Sequence, residues 1–341
     1  MDESAGIRSG RRRRVLVTGG AGFVGSHLVE RLLARGDSVF VVDDLSTGRR
    51  GNLPAAHDDI AFAEADLKDW LGADGASAGL FHEIYHLAAA VGVELVVADP
   101  VRTIETNTEQ TSAVLHFAAG MHPAPRVLVA SSSEVYGKSE RTPFGEDDDV
   151  VYGPTTASRW SYACSKALDE FLALAHHEKS GLPVVVARLF NTVGPRQIGR
   201  YGMVLPRFVA AARAGEPLRV YGDGRQVRCF CDVRDVVRGL VDLVGTPACA
   251  GQIFNVGSDR PISIEDLARA VIDELGSPSA IVHVPYDEAY GPGFEDLRRR
   301  EPDLSRIRGA IGFEPSFGLR ETIRAVADAL ADVAGGAEAA S

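Results

Sequence analysis

Thr18-Gly-Gly-Ala-Gly-Phe-Val-Gly25 is the stretch that decides how this chain folds. Its glycines recur at Gly19, Gly22 and Gly25, after the apolar run Val15-Leu-Val17 and before a helical pattern from His27 to Arg35. Glycine at these places permits a tight turn and lets backbone N–H groups approach a pyrophosphate at the N-terminus of the helix. A glycine triplet alone is a weak signal, because turns use glycine freely. Asp43 strengthens it. It closes the next apolar run, Val39-Phe-Val-Val42, about 20 residues on, where a carboxylate meets the ribose hydroxyls of an adenosine. A negative charge there repels a 2′-phosphate, so the expected cofactor is NAD and not NADP.

Outward from this turn the chain alternates short β-branched runs with helical patterns. Ile60-Ala-Phe, Glu83-Ile-Tyr-His-Leu, Arg126-Val-Leu-Val-Ala and Val184-Val-Val-Ala read as further strands, and Pro100 to Ala119 and Ser161 to Lys179 as helices between them. Short apolar strands joined through helices mean a parallel sheet covered on both faces. The expected fold is α/β: a doubly wound parallel Rossmann sheet with a smaller mixed α/β substrate-binding domain. Gln252-Ile-Phe-Asn-Val-Gly and the helix Ser263 to Leu275 read as a last strand and helix returning to the sheet. After Asn191 the texture shifts to loops rich in Gly, Pro and Arg. The expected organisation is a flexible tail over 1–13, an NAD-binding domain over 14–190 plus about 236–275, a substrate domain over about 191–235 plus 276–331, and a second tail over 332–341.

Composition narrows the class. The 341 residues are 45% hydrophobic and 24% charged, an ordinary globular balance, with a net charge of −11. An acidic chain argues against nucleic acid or a membrane surface as partner, and an anionic substrate would need local arginines. No apolar run approaches the roughly 18 residues of a membrane span. Asp2, Glu3 and the lack of an apolar h-region speak against a targeting peptide, and Arg11 to Arg14 read as a solvated tail. The four cysteines are too few for a disulfide scaffold; Cys229 and Cys231 lack a suitably spaced His or Cys, so no metal is expected. These readings place the chain in the cytoplasm.

Two further motifs carry chemistry. In Tyr162-Ala-Cys-Ser-Lys166 the i, i+4 spacing puts phenol and ammonium on one helix face. A neighbouring cation favours the phenolate and should lower a Tyr pKa that starts near 10, making Tyr162 a general base for a sugar hydroxyl. Ser131-Ser-Ser-Glu-Val-Tyr-Gly137 follows the strand Arg126 to Ala130, so its polar side chains emerge at the carboxyl edge of the sheet. The bland alternatives are a chance Tyr–Lys spacing and a simple Ser/Thr turn.

Together these motifs resemble the extended short-chain dehydrogenase/reductase family of nucleotide-sugar epimerases, dehydratases and decarboxylases, from about Arg14 to Ala331. Further marks are Asp66-Leu67, His86-Leu-Ala-Ala89, Arg188-Leu-Phe-Asn-Thr-Val-Gly-Pro-Arg196 and Tyr221-Gly-Asp-Gly-Arg-Gln-Val-Arg228. The resemblance implies that Ser132 and Ser133 join Tyr162 and Lys166 at the reacting hydroxyl. It also implies cofactor contacts from Gly19, Gly22, Phe23, Val24, Gly25, Asp43, Asp44 and Thr47. Asp66 and Leu67 would meet the adenine, and Leu87, Ala88, Ala89 and Asn107 would flank the dinucleotide. Arg219, Val220, Tyr221, Gln226 and Arg228 would hold the nucleotide diphosphate, and Arg159, Asn191 and Phe294 the remainder of the substrate.

Within the family, Gly291-Pro-Gly-Phe-Glu-Asp-Leu-Arg-Arg-Arg-Glu-Pro-Asp-Leu304 resembles the closing motif of UDP-glucuronate decarboxylases. Arg159-Trp-Ser-Tyr162 and Arg228-Cys-Phe-Cys-Asp-Val-Arg-Asp235 resemble the decarboxylase domain of the bacterial aminoarabinose enzyme, although Ser158 stands where that enzyme has proline and its formyltransferase domain has no counterpart here. The implied reaction oxidises C4 of UDP-glucuronate and then loses the C6 carboxylate, with Glu134 and Arg300 as an acid–base pair. UDP-xylose and a UDP-4-keto-pentose both remain open as products. A UDP-glucuronate or UDP-hexose 4-epimerase is the competing enzyme, and a non-catalytic NAD sensor the competing class. Family members commonly dimerise through the two helices Pro100 to Ala119 and Ser161 to Lys179, with Ala167, Leu168, Phe171, Leu172 and Leu174 as the apolar stripe.

Overall fold

The main sheet is parallel and has seven strands: β1 (Arg14–Thr18), β2 (Ser38–Asp43), β3 (Ile60–Glu64), β4 (Glu83–His86), β5 (Arg126–Ser132), β6 (Val184–Leu189) and β11 (Gln252–Val256). Their order across the sheet is β11-β6-β5-β4-β1-β2-β3. The computed structural model describes residues 12–55, 57–75, 77–89, 99–199, 203–286, 288 and 297–338. Chain progression reverses between β1 and β4, so a crevice opens at the carboxyl ends of these two strands, the usual ligand position in such sheets.

Both faces of the sheet are covered because its strands are apolar on both sides. Helices α1 (Phe23–Ala34) and, further along the chain, α6 (Val233–Gly245) bury Leu28, Leu32, Val236 and Leu240 against one face. On the other face α2 (Leu67–Ala73), α3 (Pro100–Ala119) and α4 (Trp160–Ser180) contribute Trp70, Leu115 and Ala173. A third core lies beyond the sheet. There α5 (Val204–Ala214), α7 (Ile264–Leu275) and α9 (Leu319–Glu338) pack Phe208, Leu267 and Ile323 together. Short strands edge this region: β7 (Thr192–Val193) with β10 (Cys231–Asp232), β8 (Leu218–Tyr221) with β13 (Ile281–Val284), and β9 (Val227–Cys229) between β12 (Pro261–Ser263) and β14 (Arg299–Arg300). Helix α8 (Ser305–Ile311) returns the chain to the first core through Ile307.

The structure departs from the sequence reading in three places. Helix α7 does not return to the sheet; its stripe Ile264, Leu267, Ala268 and Val271 enters the third core. Strand β12, pairing antiparallel with β9, has already carried the chain away. Arg12 and Arg13 are not a solvated tail, since Arg12 is paired with Asp59 and Arg13 Nη1 lies 2.9 Å from Glu83 Oε1. The final helix runs on to Glu338 instead of ending at 331, consistent with its alanine-rich sequence.

One buried ion pair ties the layers together at the working end. Arg188 on β6 donates from Nε to Glu170 Oε1 at 2.9 Å and from Nη2 to Oε2 at 2.7 Å. Its Nη1 donates to the Glu146 carbonyl at 3.0 Å, and the Ser131 hydroxyl donates to the same Glu170 carboxylate. Both charged residues are only 5% exposed, so neither can turn to water if the other is lost. Glu170→Gln should therefore destabilise the fold by about 3–5 kcal/mol, the cost of a buried charge left uncompensated. Urea unfolding should show a lowered midpoint with little change in slope, and a loss below about 1 kcal/mol would mean that the pair does not bear on stability.

Candidate active site

The turn after β1 has the shape a dinucleotide needs. Gly19 adopts a left-handed φ of +70°, and a Cβ on it would lie 2.7 Å from the Ala88 nitrogen. A Cβ on Gly25 would lie 2.1 Å from the Gly19 carbonyl oxygen, so helix and turn touch where only glycine fits. Gly22 caps α1 without a side chain, and no acidic residue stands in the first turn. The helix N-terminus, with Phe23 and Val24 in its first turn, is thus left to an anion. These observations fit the pyrophosphate of NAD.

Asp43, 8% exposed, braces that turn. Its Oδ2 accepts from the Ala21 N–H at 2.9 Å and its Oδ1 from the Leu45 N–H at 2.8 Å. Burial, opposed by those amide bonds, leaves its carboxyl above the ordinary range. Each oxygen keeps a lone pair for a ribose hydroxyl. Asp44 and Thr47 are exposed beside it, and Asp44 accepts from Ser46. Asp66 is committed to capping α2, accepting from Lys68 and Asp69. The Leu67 side chain is core, so only its main chain could meet an adenine. On the other side of the crevice, Leu87 and Ala88 follow β4 and donate to the carbonyl and hydroxyl of Thr18, with Ala89 half-buried next to them. Asn107 is buried and donates to the Ser165 hydroxyl at 3.2 Å.

The reactive groups come from two elements. The chain leaves β5 in a single 3-10 turn, Ser133–Tyr136, capped by Ser132. Ser132 Oγ accepts from the Glu134 N–H at 3.2 Å and donates to the Tyr162 phenolic oxygen on α4. Ser133 is buried at the start of the turn. Beneath it, Tyr136 stacks on Phe144 and donates to Asn255 at 2.7 Å, which fixes the turn against β11.

Glu134 sits among cations. Arg300 Nη1 donates to its Oε1 at 2.6 Å, and Arg159 Nη2 lies 3.7 Å from its Oε2. Arg300 on β14 pairs in register with Arg228 on β9, which brings a third guanidinium up to the same carboxylate. Burial would raise the Glu134 carboxyl, but the fields of Arg300, Arg159 and Arg228 outweigh it and hold it below the ordinary range. Glu134 is therefore ionised at neutral pH and can accept a proton but not donate one.

Tyr162 departs from expectation. Burial, the Glu134 charge and Asp169 push its phenol up, against a weaker opposing effect of the Ser132 hydrogen bond. The Lys166 ammonium is bonded to Asp169 Oδ2 at 3.0 Å. The i, i+4 geometry is present, and the cation also has a carboxylate partner three residues on.

Of the remaining residues expected at the substrate, Asn191 donates to the Cys229 carbonyl at 3.3 Å and Gln226 to the Tyr221 carbonyl at 2.9 Å. Arg207 stacks on the Tyr221 ring at 4.0 Å, a contact the sequence did not reveal. Arg219 is exposed, 3.6 Å from Glu288. Val220 is a third-core residue whose side chain is not available to a ligand. Phe294 lies outside the described residues. No group of three or more metal-ligating side chains occurs among the described residues.

Comparison with known proteins agrees with this geometry. The model of the NAD dependent epimerase/dehydratase family matches residues 15–257. A UDP-N-acetyl-alpha-D-glucosaminuronate decarboxylase of Bacillus cytotoxicus is 39% identical, over 92% of this chain and 97% of that protein. UDP-glucuronic acid decarboxylase 1 of Arabidopsis thaliana is 37% identical, over 94% of this chain and 70% of its own length. The Thermus thermophilus UDP-glucose 4-epimerase in complex with NAD superposes with a TM-score of 0.80 at 30% identity, covering 93% of this chain and 99% of that one.

The contact at Gly25 gives a direct check on the dinucleotide turn. Gly25→Ala must push its methyl into the Gly19 carbonyl, costing about 1–3 kcal/mol as overpacking does and opening the turn. NAD affinity, followed by fluorescence titration, should fall by more than about tenfold while far-ultraviolet circular dichroism stays native. Unchanged affinity would place the pyrophosphate elsewhere.

Proposed function

Since this chain belongs to the NAD-dependent epimerase/dehydratase family, we propose that it is a UDP-glucuronate decarboxylase that works through a UDP-4-keto sugar. The observation that carries this reading is Glu134, an ionised carboxylate bonded to Arg300 and flanked by Arg159 within reach of Ser132 and Tyr162. A hexose epimerase needs a base and a rotating ketone. An arginine set at the same edge additionally suits a substrate that carries a carboxylate.

NAD, bound on the glycine turn, supplies the hydride acceptor. Tyr162, with Ser132 bonded to it, takes the proton of the C4 hydroxyl. The resulting ketone is β to the C6 carboxylate, and a β-keto acid loses carbon dioxide readily because the electrons pass into an enolate. Ser132 and the newly protonated Tyr162 donate to the enolate oxygen as an oxyanion site. Glu134 holds Arg300 in place, and Arg300 with Arg159 orients the sugar acid. Arg228 and the Tyr221 to Gln226 segment serve the nucleotide diphosphate. Asp43 excludes NADP by charge. A proton taken from water at C5 converts the enolate to the UDP-4-keto-pentose, which can leave at this point; return of hydride to C4, with the Tyr162 proton passing to the C4 oxygen, gives UDP-xylose.

We also read the protein as a homodimer. Helices α3 and α4 expose Val101, Ile104, Leu168 and Phe171, the last 70% exposed. Ala167, expected in the same stripe, is instead buried within the chain. A two-fold packing of the exposed residues would cover the patch. No helix among the described residues is long and apolar enough to cross a membrane.

Product identification by NMR tests the reaction. The purified protein with NAD should convert UDP-glucuronate to pentose products and carbon dioxide. The similarity to a UDP-N-acetyl-glucosaminuronate decarboxylase makes that sugar, altered only at C2, the second substrate to test. Pentose from the N-acetyl sugar alone would transfer the proposal to it, whereas UDP-galacturonate without carbon dioxide would replace it with epimerisation.

A further inference from the structure

Lys166, the residue expected beside the reacting phenol, is held in a buried polar chain that begins at the glycine turn. Thr18 Oγ1 lies 2.8 Å from His86 Nδ1, and His86 Nε2 lies 3.1 Å from Thr111 Oγ1. The Thr111 hydroxyl stands beside the Asp169 carboxylate; burial pushes that carboxyl above its ordinary range, opposed by the Lys166 ammonium and by Thr111. Asp169 Oδ2 accepts from Lys166 Nζ. Every member of the chain is at most 3% exposed, and Asp169 is fully buried. The other Asp169 oxygen, Oδ1, is buried without a well-formed hydrogen bond among the described residues. A buried carboxylate costs stability unless a charge requires it there, and the adjacent charge is Lys166.

We propose that Asp169 is a positioning residue for the Tyr162–Lys166 pair: it anchors the Lys166 ammonium and, through its own negative charge, sets the pH at which Tyr162 can act as a base. This rests on the reading of Tyr162 as base given above. The groups facing each member are few. Tyr162 faces Glu134, Ser132 and Asp169. Asp169 faces Lys166, Thr111 and its neighbour Glu170. His86, pushed down to about 3 by burial and by Lys166, stays neutral and serves only to orient Thr111.

The sign follows from these charges. The working form of Tyr162 is the anion, and a nearby anion disfavours it. Removing the Asp169 charge frees the ammonium and removes that opposition, so phenolate should form at lower pH. The test is the pH profile of single-turnover NADH formation with saturating UDP-glucuronate in the intact protein. Asp169→Asn should move the acid limb down by about one unit, the size typical of removing one nearby charge, and lower the plateau severalfold. NAD affinity should change less than about twofold. Thr111→Val, which keeps the carboxylate but loosens its support, should lower the plateau without moving the limb as far, and it carries the test if Asp169→Asn does not fold. An unmoved limb in a folded Asp169→Asn protein that still forms NADH would overturn the role of Asp169. Absence of NADH from the unmodified protein at every pH, with UDP-glucuronate and with its N-acetyl counterpart, would instead overturn the proposed function on which it rests.

Discussion

The bond between Glu170 and Arg188 is the constraint on which the site depends. Tyr162 and Lys166 belong to α4, whereas Ser132 and Glu134 leave the end of β5. No hydrogen-bond ladder joins a helix to a strand beneath it, so their spacing must be set by side chains. Glu170, one turn beyond Lys166, accepts two bonds from Arg188 on the neighbouring strand and one from Ser131, the residue before Ser132. A single buried carboxylate thus fixes the helix, β6 and the tip of β5 relative to one another. Planar guanidinium geometry makes this a directional clamp and not merely an attraction.

With the two halves fixed, the site holds two separate charge groups with different tasks. At the outer edge Glu134 is surrounded by Arg300, Arg159 and Arg228, an excess of positive charge in a chain that is acidic overall. That excess is what an anionic sugar nucleotide requires. At the inner edge Lys166 and Asp169 neutralise each other above the neutral His86. Tyr162 lies between the two groups and senses both, through Glu134 on one side and Asp169 on the other. Its phenol is consequently held in the protonated form until substrate and cofactor alter that balance.

Much of this was legible in the sequence. The glycine spacing, the apolar runs and Asp43 determine the turn and the parallel sheet, because backbone sterics and period-based burial are local properties. The Tyr162–Lys166 spacing and the Ser131 to Gly137 run named side chains that lie at the head of α4 and at the carboxyl end of β5. The failures are tertiary. Helical spacing shows that Tyr162 and Lys166 share a face, but not that Lys166 is also bonded to a carboxylate three residues on. Asp169 looks like an ordinary polar helix residue until packing buries it. Helix α7 carries the same stripe whether it covers the sheet or the third core, and Val220 and Leu67 lie within ligand-binding motifs while their side chains serve the interior. Arg12 and Arg13 resemble a tail because their partners, Asp59 and Glu83, are far away in sequence.

The central claim is that Arg300, held by Glu134, serves the loss of the carboxylate and not the oxidation of the C4 hydroxyl. The most direct measurement follows NADH absorbance and labelled carbon dioxide from C6 of UDP-glucuronate in the same reaction, comparing the native protein with Glu134→Gln and Arg300→Lys. Carbon dioxide release should slow by on the order of 10²-fold, as misplacement of a positioned reactant does, while NADH formation falls far less. Native rates of carbon dioxide release in both variants would contradict the account.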